Sequence, residues 1–362
     1  MISSSTFNFK ISAESISETD DIISGGTYYI RNVNSERYFD VADALTVDGT
    51  NVQQYAYNPN AKCQKWVITY IGNGDYTIKD YNSNNLLSIV ASYSTPETNA
   101  WIWHNDGTNG QKFNIRKNSD GTYSFLSKCS NYSMALEVDT TYNNGMTNNC
   151  NIRQNYDKNT NNQKFVLEKV QATLIGVTDS GHDHTSYIDK ISPYLLEMDY
   201  IEVHDYVNPG ASSMVQLTQN TKIFISRSHG GIHNNTYPYI LLGNGQAFGT
   251  EGILSLPLNT YKGVDLMAFV ACFTGYGGKK TDNMATAVVA RGATSAIAFE
   301  KSISCNAANT WTIEFVNQLN KGKTVDNAAS KAASHAKLTH LLSGSTNIDS
   351  YFVVGNDNLI LK

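Results

Sequence analysis

Three short motifs recur in the first half of the chain: Gln64-Lys65-Trp66, Gln111-Lys112-Phe113 and Gln163-Lys164-Phe165. Their spacings are 47 and 52 residues, and an Asn/Gly/Lys-rich turn precedes each. A strand-like run lies upstream of each copy: Tyr38-Phe39-Asp40-Val41, Leu86-Leu87-Ser88-Ile89 and Ala135-Leu136-Glu137-Val138. A fixed period of this length implies one supersecondary unit used three times, with threefold pseudo-symmetry. A buried Gln beside an aromatic must satisfy its amide inside the protein, so the motif reads first as structural.

The 362 residues suit about two domains of ~100–200 residues each. The composition changes near residue 170. Before it, short runs such as Tyr28-Tyr29-Ile30, Trp66-Val67-Ile68 and Phe113-Asn114-Ile115 alternate with turn clusters, as in an all-β sandwich or barrel. After it, apolar strands alternate with helical patterns, which predicts a mostly parallel sheet. Charged residues make up 16% and the net charge is −5. That argues against a phosphate-backbone partner, which needs clustered Lys and Arg. No apolar run approaches ~18 residues, so no membrane span is expected. The first 20 residues hold no apolar signal-peptide core. Residues 1–25 read as a mobile leader or propeptide, and the expectation is an exported protein rather than a cytoplasmic one. Five Cys cannot all pair within one chain; Cys129 and Cys150 are the candidate pair.

The threefold Gln-x-aromatic repeat resembles the ricin B-type β-trefoil lectins over residues 26–170. The resemblance implies a carbohydrate ligand. In that family each pocket combines an Asp on the early strand, a polar residue and an aromatic on the middle hairpin, and an Asn before the motif Gln. Asp40, Gln53 and Tyr55 match in the first lobe, where Cys63 replaces the Asn. Ser88 replaces the Asp in the second lobe, which keeps Trp101 and Trp103. In the third lobe Glu137 stands for the Asp, Arg153 and Asn155 fall at the hairpin, and Asn162 is kept. A pyranose needs a carboxylate for its hydroxyls and an aromatic face for its C–H side. The first lobe supplies both.

Two segments of the second half share a design. Each is an apolar strand ending in a reactive residue that Gly soon follows: Lys222-Ile223-Phe224-Ile225-Ser226-Arg227-Ser228-His229-Gly230-Gly231 and Val264-Asp265-Leu266-Met267-Ala268-Phe269-Val270-Ala271-Cys272-Phe273-Thr274-Gly275. In open parallel sheets ligands bind beyond the carboxyl ends of the strands. A thiol beside a His becomes a nucleophile, and the His can then protonate a leaving amine. The N–H groups of Gly230 and Cys272 are candidate oxyanion donors. These residues resemble the caspase-like (clan CD) cysteine peptidases, a group that includes clostripain, gingipain and CHAT proteins. Further matches are Thr173–Val177 and Tyr200–Val203 as early strands, the helical run 284–293, Ser295–Phe299, and helices around Trp311 and Ala328, with Gly322 and Thr324 as caps. The resemblance covers residues 171–362 and implies a His229–Cys272 dyad acting on protein or peptide substrates.

The expected architecture is therefore multidomain: an all-β β-trefoil, then an α/β caspase-like domain with a mostly parallel central sheet. The expected function is a cysteine endopeptidase brought to glycans by its lectin domain. A toxin-like lectin with an inactive second half, and a glycosidase, are the alternatives. The second would need paired carboxylates flanking one cleft, and none stands out. The caspase-like resemblance implies that the loop after the first α/β strand lines the pocket for the residue before the scissile bond; its Asp179 and Asp183 would then favour Arg or Lys there. The run His182-Asp183-His184 has a metal pair's composition but no third ligand. No metal or cofactor is expected, and Cys305 reads as structural.

Overall fold

The computed structural model describes residues 22, 24–58, 61–178, 184–198, 200 and 202–361, with backbone alone at 202–206, 212, 244 and 343. Two compact units divide between Val170 and Gln171.

The first unit, residues 22–170, is built from twelve strands. They are β1 (Gly26–Asn32), β2 (Tyr38–Val41), β3 (Thr50–Tyr55), β4 (Lys65–Gly72), β5 (Asp75–Asp80), β6 (Leu86–Ile89), β7 (Ala100–Trp103), β8 (Phe113–Lys117), β9 (Tyr123–Ser127), β10 (Met134–Val138), β11 (Ile152–Tyr156) and β12 (Phe165–Lys169). Six of them close a barrel in the order β1-β4-β5-β8-β9-β12, with β12 pairing back onto β1. The other six form three hairpins, β2–β3, β6–β7 and β10–β11. The hairpins touch one another through β3–β7 and the bridges Gln53–Asn151 and Asn99–Arg153. Four strands per repeat, a closed barrel and a hairpin triplet make this a β-trefoil. Alternation places Phe39, Trp66, Phe125 and Phe165 inside, where their rings meet at centroid distances of 5.0–6.3 Å.

The motif glutamines pin each lobe. Gln64 accepts from Asn58 N–H and donates to Ala56 O. Gln111 accepts from the Asp106 and Gly107 N–H groups and donates to His104 O. Gln163 accepts from Lys158 N–H and donates to Tyr156 O. Each amide thus closes the loop that returns from its hairpin to the barrel, which explains why the residue recurs. A second pair, Gln54 and Gln154, was not singled out from the sequence. Gln54 donates to Gly145 O and Thr147 O, and Gln154 to Tyr93 O and Thr95 O, tying neighbouring lobes together. The matching residue of the second lobe is the buried Ile102, so the repeat hides this device.

The second unit is α/β. It holds β13 (Gln171–Gly176), α1 (Ile188–Glu197), β14 (Glu202–Val207), α2 (Ala211–Gln219), β15 (Ile223–Arg227), β16 (Gly230–His233), β17 (Tyr237–Leu241), β18 (Ala247–Gly249), α3 (Thr250–Leu254), β19 (Leu266–Val270), α4 (Met284–Ala290), β20 (Ser295–Phe299), α5 (Cys305–Asn320), α6 (Val325–Thr339) and β21 (Tyr351–Gly355). Six strands form one sheet in the order β14-β13-β15-β19-β20-β21, all parallel except β21. Both faces of its central strands are buried. Leu174, Ile225, Ala268 and Val270 face a core shared with α1, α5 and α6. Ile175, Phe224, Met267 and Phe269 face a second core shared with α2, α3 and α4. Two-sided burial is why these strands read as continuous apolar runs.

The second strand begins at Glu202, two residues later than the sequence suggested, and runs to Val207. The hairpin sheet β16-β17-β18 was not foreseen: Gly230-Gly231 reads as loop, and Pro238 argues against a strand. Thr324 caps α6 by accepting from Asn327 N–H, and Gly322 ends α5 with φ +71°. No helix among the described residues is long and apolar enough to cross a membrane.

Candidate functional site

The chain leaves β13 for the edge strand β14, then returns to lay β15 on the other side of β13. This reversal makes a topological switch point, and the ends of β13, β15 and β19 border it. His229 follows β15, Cys272 follows β19 and His184 lies beyond β13. All three line one cavity of about 180 Å³, together with Arg227, Ser228, Ile303 and Cys305.

Cys272 sits on a tight turn. Phe273, the next residue, has φ +61°, a left-handed conformation that costs a non-glycine residue of order 1–3 kcal/mol. Thr274 holds the turn: its hydroxyl donates to Phe269 O and Ala271 O and accepts from Phe299 N–H. Gly275 packs on Phe352, where a Cβ would come within 2.5 Å of the ring. The Cys272 thiol is half-buried and receives the Ile303 N–H at 3.4 Å, with Ser302 Oγ at 3.5 Å.

Gly230 lies against the backbone of Cys272. A Cβ there would stand 2.0 Å from Cys272 O. Leu241 N–H donates to His229 O at 2.8 Å. That makes Gly230, paired with Ile240, a non-hydrogen-bonded position of the hairpin, so its N–H points away from β17. The oxyanion-donor reading asks for such an N–H. The close approach to Cys272 is a second demand for glycine that the sequence did not reveal.

His184, grouped with His182 and Asp183 by composition, belongs to this cavity. Its ring meets that of His229 edge-on, at 4.7 Å and 88°. Arg227 Nη2 lies 3.2 Å from His184 Nδ1, so the guanidinium donates to the ring nitrogen. The Cys305 thiol is 3.6 Å from the same nitrogen and 3.5 Å from Arg227 Nη2. Cys305, read as merely structural, therefore lines the cavity beside Cys272. Asp179 and Asp183 lie outside the described residues, as does most of the segment 1–25.

The trefoil carries the candidate sugar positions. Asp40 is 7% exposed and accepts from Gln53 Nε2 and Gln64 Nε2, each at 3.1 Å, with the Cys63 thiol at 3.5 Å. A carboxylate offers about four acceptor positions, so one remains. Burial raises the Asp40 pKa above the ordinary carboxylate value. Burial, then the neighbouring Asp40 charge, pushes the Cys63 thiol up to about 12. Tyr55 is 38% exposed and offers a ring face.

In the third lobe all the acceptor positions of Glu137 are taken. Its donors are Arg153 Nε at 3.0 Å, Asn155 Nδ2 at 2.9 Å, Gln163 Nε2 at 3.2 Å and Asn162 Nδ2 at 3.4 Å. Arg153 also meets Asp139 at 3.3 Å and Glu97 at 3.7 Å. The second lobe has no carboxylate at Ser88, yet Trp101 and Trp103 stack at 4.8 Å and 19°. Cys129 and Cys150 do not pair, which corrects the expectation. The Cys129 thiol turns to Tyr93 O and Gln154 Oε1, and that of Cys150 to Thr147 Oγ1.

Barrel, hairpin triplet and three pinned glutamines define a trefoil of the lectin kind. The family described as ricin-type β-trefoil lectin domain-like matches residues 18–98 and 62–155, so this part of the chain is a ricin-type β-trefoil lectin-like domain. Solved structures similar to part of the chain include ThreeFoil, a designed threefold-symmetric protein, at 26% identity. That match covers 39% of this chain and 97% of ThreeFoil, with a TM-score of 0.37. The Rhizoctonia solani agglutinin matches at 20% identity, over 41% of this chain and 97% of its own, with a TM-score of 0.36. The Macrolepiota procera ricin B-like lectin, solved with lactose, matches at 18% identity, over 41% and 98%, with a TM-score of 0.34. No curated protein matches the chain.

Proposed function

We propose that the protein is a cysteine endopeptidase of caspase-like type, carried to glycan-bearing targets by its lectin-like domain. The observation behind the peptidase reading is the meeting of Cys272 and His229 in one cavity at the ends of adjacent parallel strands. The Cys272 thiol gives its proton to His229, and the sulfur attacks the scissile carbonyl. A C–S bond forms, and the Gly230 and Cys272 N–H groups receive the oxyanion. The C–N bond breaks as His229 returns the proton to the amine, leaving a thioester that water hydrolyses. An exported protein suits this pairing of lectin and peptidase.

For the sugar, the reading favours the first lobe. Asp40 keeps an acceptor position and Tyr55 a face, whereas Glu137 is saturated by its own neighbours. The preference for Arg or Lys rests on Asp179 and Asp183, and the described cavity wall carries a cation instead.

The test is hydrolysis of a peptide library by wild type, Cys272→Ala and His229→Ala, with thermal melts to check folding. Each substitution is expected to abolish turnover, since the two groups act as one unit. Retained turnover in Cys272→Ala removes the thiol mechanism. An inactive wild type that still binds a glycan array favours the lectin with a scaffold half.

A further inference from the structure

Arg227 ends β15, two residues before His229, and is 1% exposed. Its Nη2 donates to Cys305 O at 3.3 Å and to His184 Nδ1 at 3.2 Å. Among the described residues Nε and Nη1 have no hydrogen-bond partner, and no carboxylate pairs with this guanidinium. Burying a cation without a counter-charge costs several kcal/mol. Tyr187, the nearby phenol, supplies no charge: its hydroxyl donates to Ile175 O and Ile225 O, and burial raises its pKa. Burial likewise works against the charge on Arg227.

Two more features point the same way. Arg227 lines the Cys272 cavity rather than a closed core. The 16-residue helix α5 starts at Cys305 on the cavity wall, and the side chain of its N-cap residue, Ser304, makes no capping hydrogen bond. Its first-turn N–H groups and dipole add positive potential there.

We propose that Arg227 is a receptor for a carboxylate entering the Cys272 cavity. At roughly 30 Å³ per water, 180 Å³ holds about six waters, ample for an aspartate or glutamate side chain. The carboxylate is either the side chain of a substrate residue next to the scissile bond or a small free acid. The first source rests on the peptidase reading; the receptor itself does not.

The receptor is tested without turnover by alkylating the full chain with iodoacetate or iodoacetamide and mapping Cys272 by mass spectrometry. Free cysteine reacts faster with the amide. A charge-assisted hydrogen bond of about 1.5–3 kcal/mol shifts the iodoacetate-to-iodoacetamide ratio at Cys272 about tenfold or more above that of free cysteine. Arg227→Gln is expected to return the ratio to the free-thiol value, and Arg227→Lys to keep part of the shift. Added acetate is expected to slow the iodoacetate reaction in wild type. If Arg227→Gln does not fold, the wild-type ratio and the acetate competition still decide. A wild-type ratio equal to that of free cysteine overturns the proposal.

Two fluorogenic peptides, with Asp or Arg before the scissile bond, then separate the sources. Faster cleavage of the Asp peptide, lost in Arg227→Gln, assigns the carboxylate to the substrate. A shifted alkylation ratio with faster cleavage of the Arg peptide overturns the substrate source and leaves the free acid. A shifted ratio with neither peptide cleaved keeps the receptor and removes the peptidase reading.

Discussion

A methyl group on Gly230 would lie 2.0 Å from Cys272 O, so even alanine must push the two strand ends apart. Displacements near 1 Å at a reacting centre cost about 100-fold in rate. On the proposed peptidase role, Gly230→Ala is therefore expected to lower kcat about that much with a smaller effect on melting temperature, as steady-state kinetics beside a thermal melt would show. An unchanged kcat would mean the contact does not position Cys272. Asp40 makes a second residue-level expectation. Its carboxyl is raised by burial, so it takes up its proton above the ordinary carboxylate range. On the proposed sugar-binding role the ionised form would accept from sugar hydroxyls, so retention on glycan resin should be full at neutral pH. It should fall as pH drops, beginning above pH ~4. Asp40→Ala should abolish retention at every pH while leaving any peptide hydrolysis unchanged. Equal retention by mutant and wild type would move the site away from the first lobe.

Between residues and the whole lie the strands, helices and loops, where capping side chains decide how segments end. Asn283 accepts from the Ala285 and Thr286 N–H groups while the Thr286 hydroxyl accepts from the Asn283 N–H, a reciprocal capping box opening α4. Asn283→Ala should cost about 1 kcal/mol of stability, read from denaturant midpoints. Gln163 should matter more. Its replacement by Ala strands a loop N–H and a carbonyl and strips one donor from Glu137, so about 1–3 kcal/mol is expected. Elements were legible in the sequence where one pattern ruled. The three Gln-x-aromatic motifs announced the trefoil because each performs one local task, and β13, β15, β19 and β20 announced the sheet because both faces are buried. β16 to β18 were hidden, since Gly230 answers to the distant Cys272, and Gly231 and Gly249 make room for Tyr239 on the strand between them rather than for a turn. His184 and Arg227 were hidden for a related reason. Arg227 sits at the end of an apolar run, between two serines, and its partners come from residues 43 and 78 positions away.

Each half of the molecule has its own core, and the trefoil closes on itself before the α/β sheet begins. A fragment spanning residues 22–170 is thus expected to fold alone, showing a cooperative melt and resistance to trypsin; a protease-labile fragment would contradict this. The closure has a further consequence, in time rather than in space. β1 gains one neighbour, β4, early in synthesis, but its other edge waits for β12, with Arg31 opposite Val166. At about 5–20 residues per second, that edge stays open for several seconds on each nascent chain. An open edge accepts any matching strand, including β12 of a neighbouring chain on the same message. Crowded synthesis should therefore favour lobe-exchanged dimers, and slowing translation initiation should suppress them.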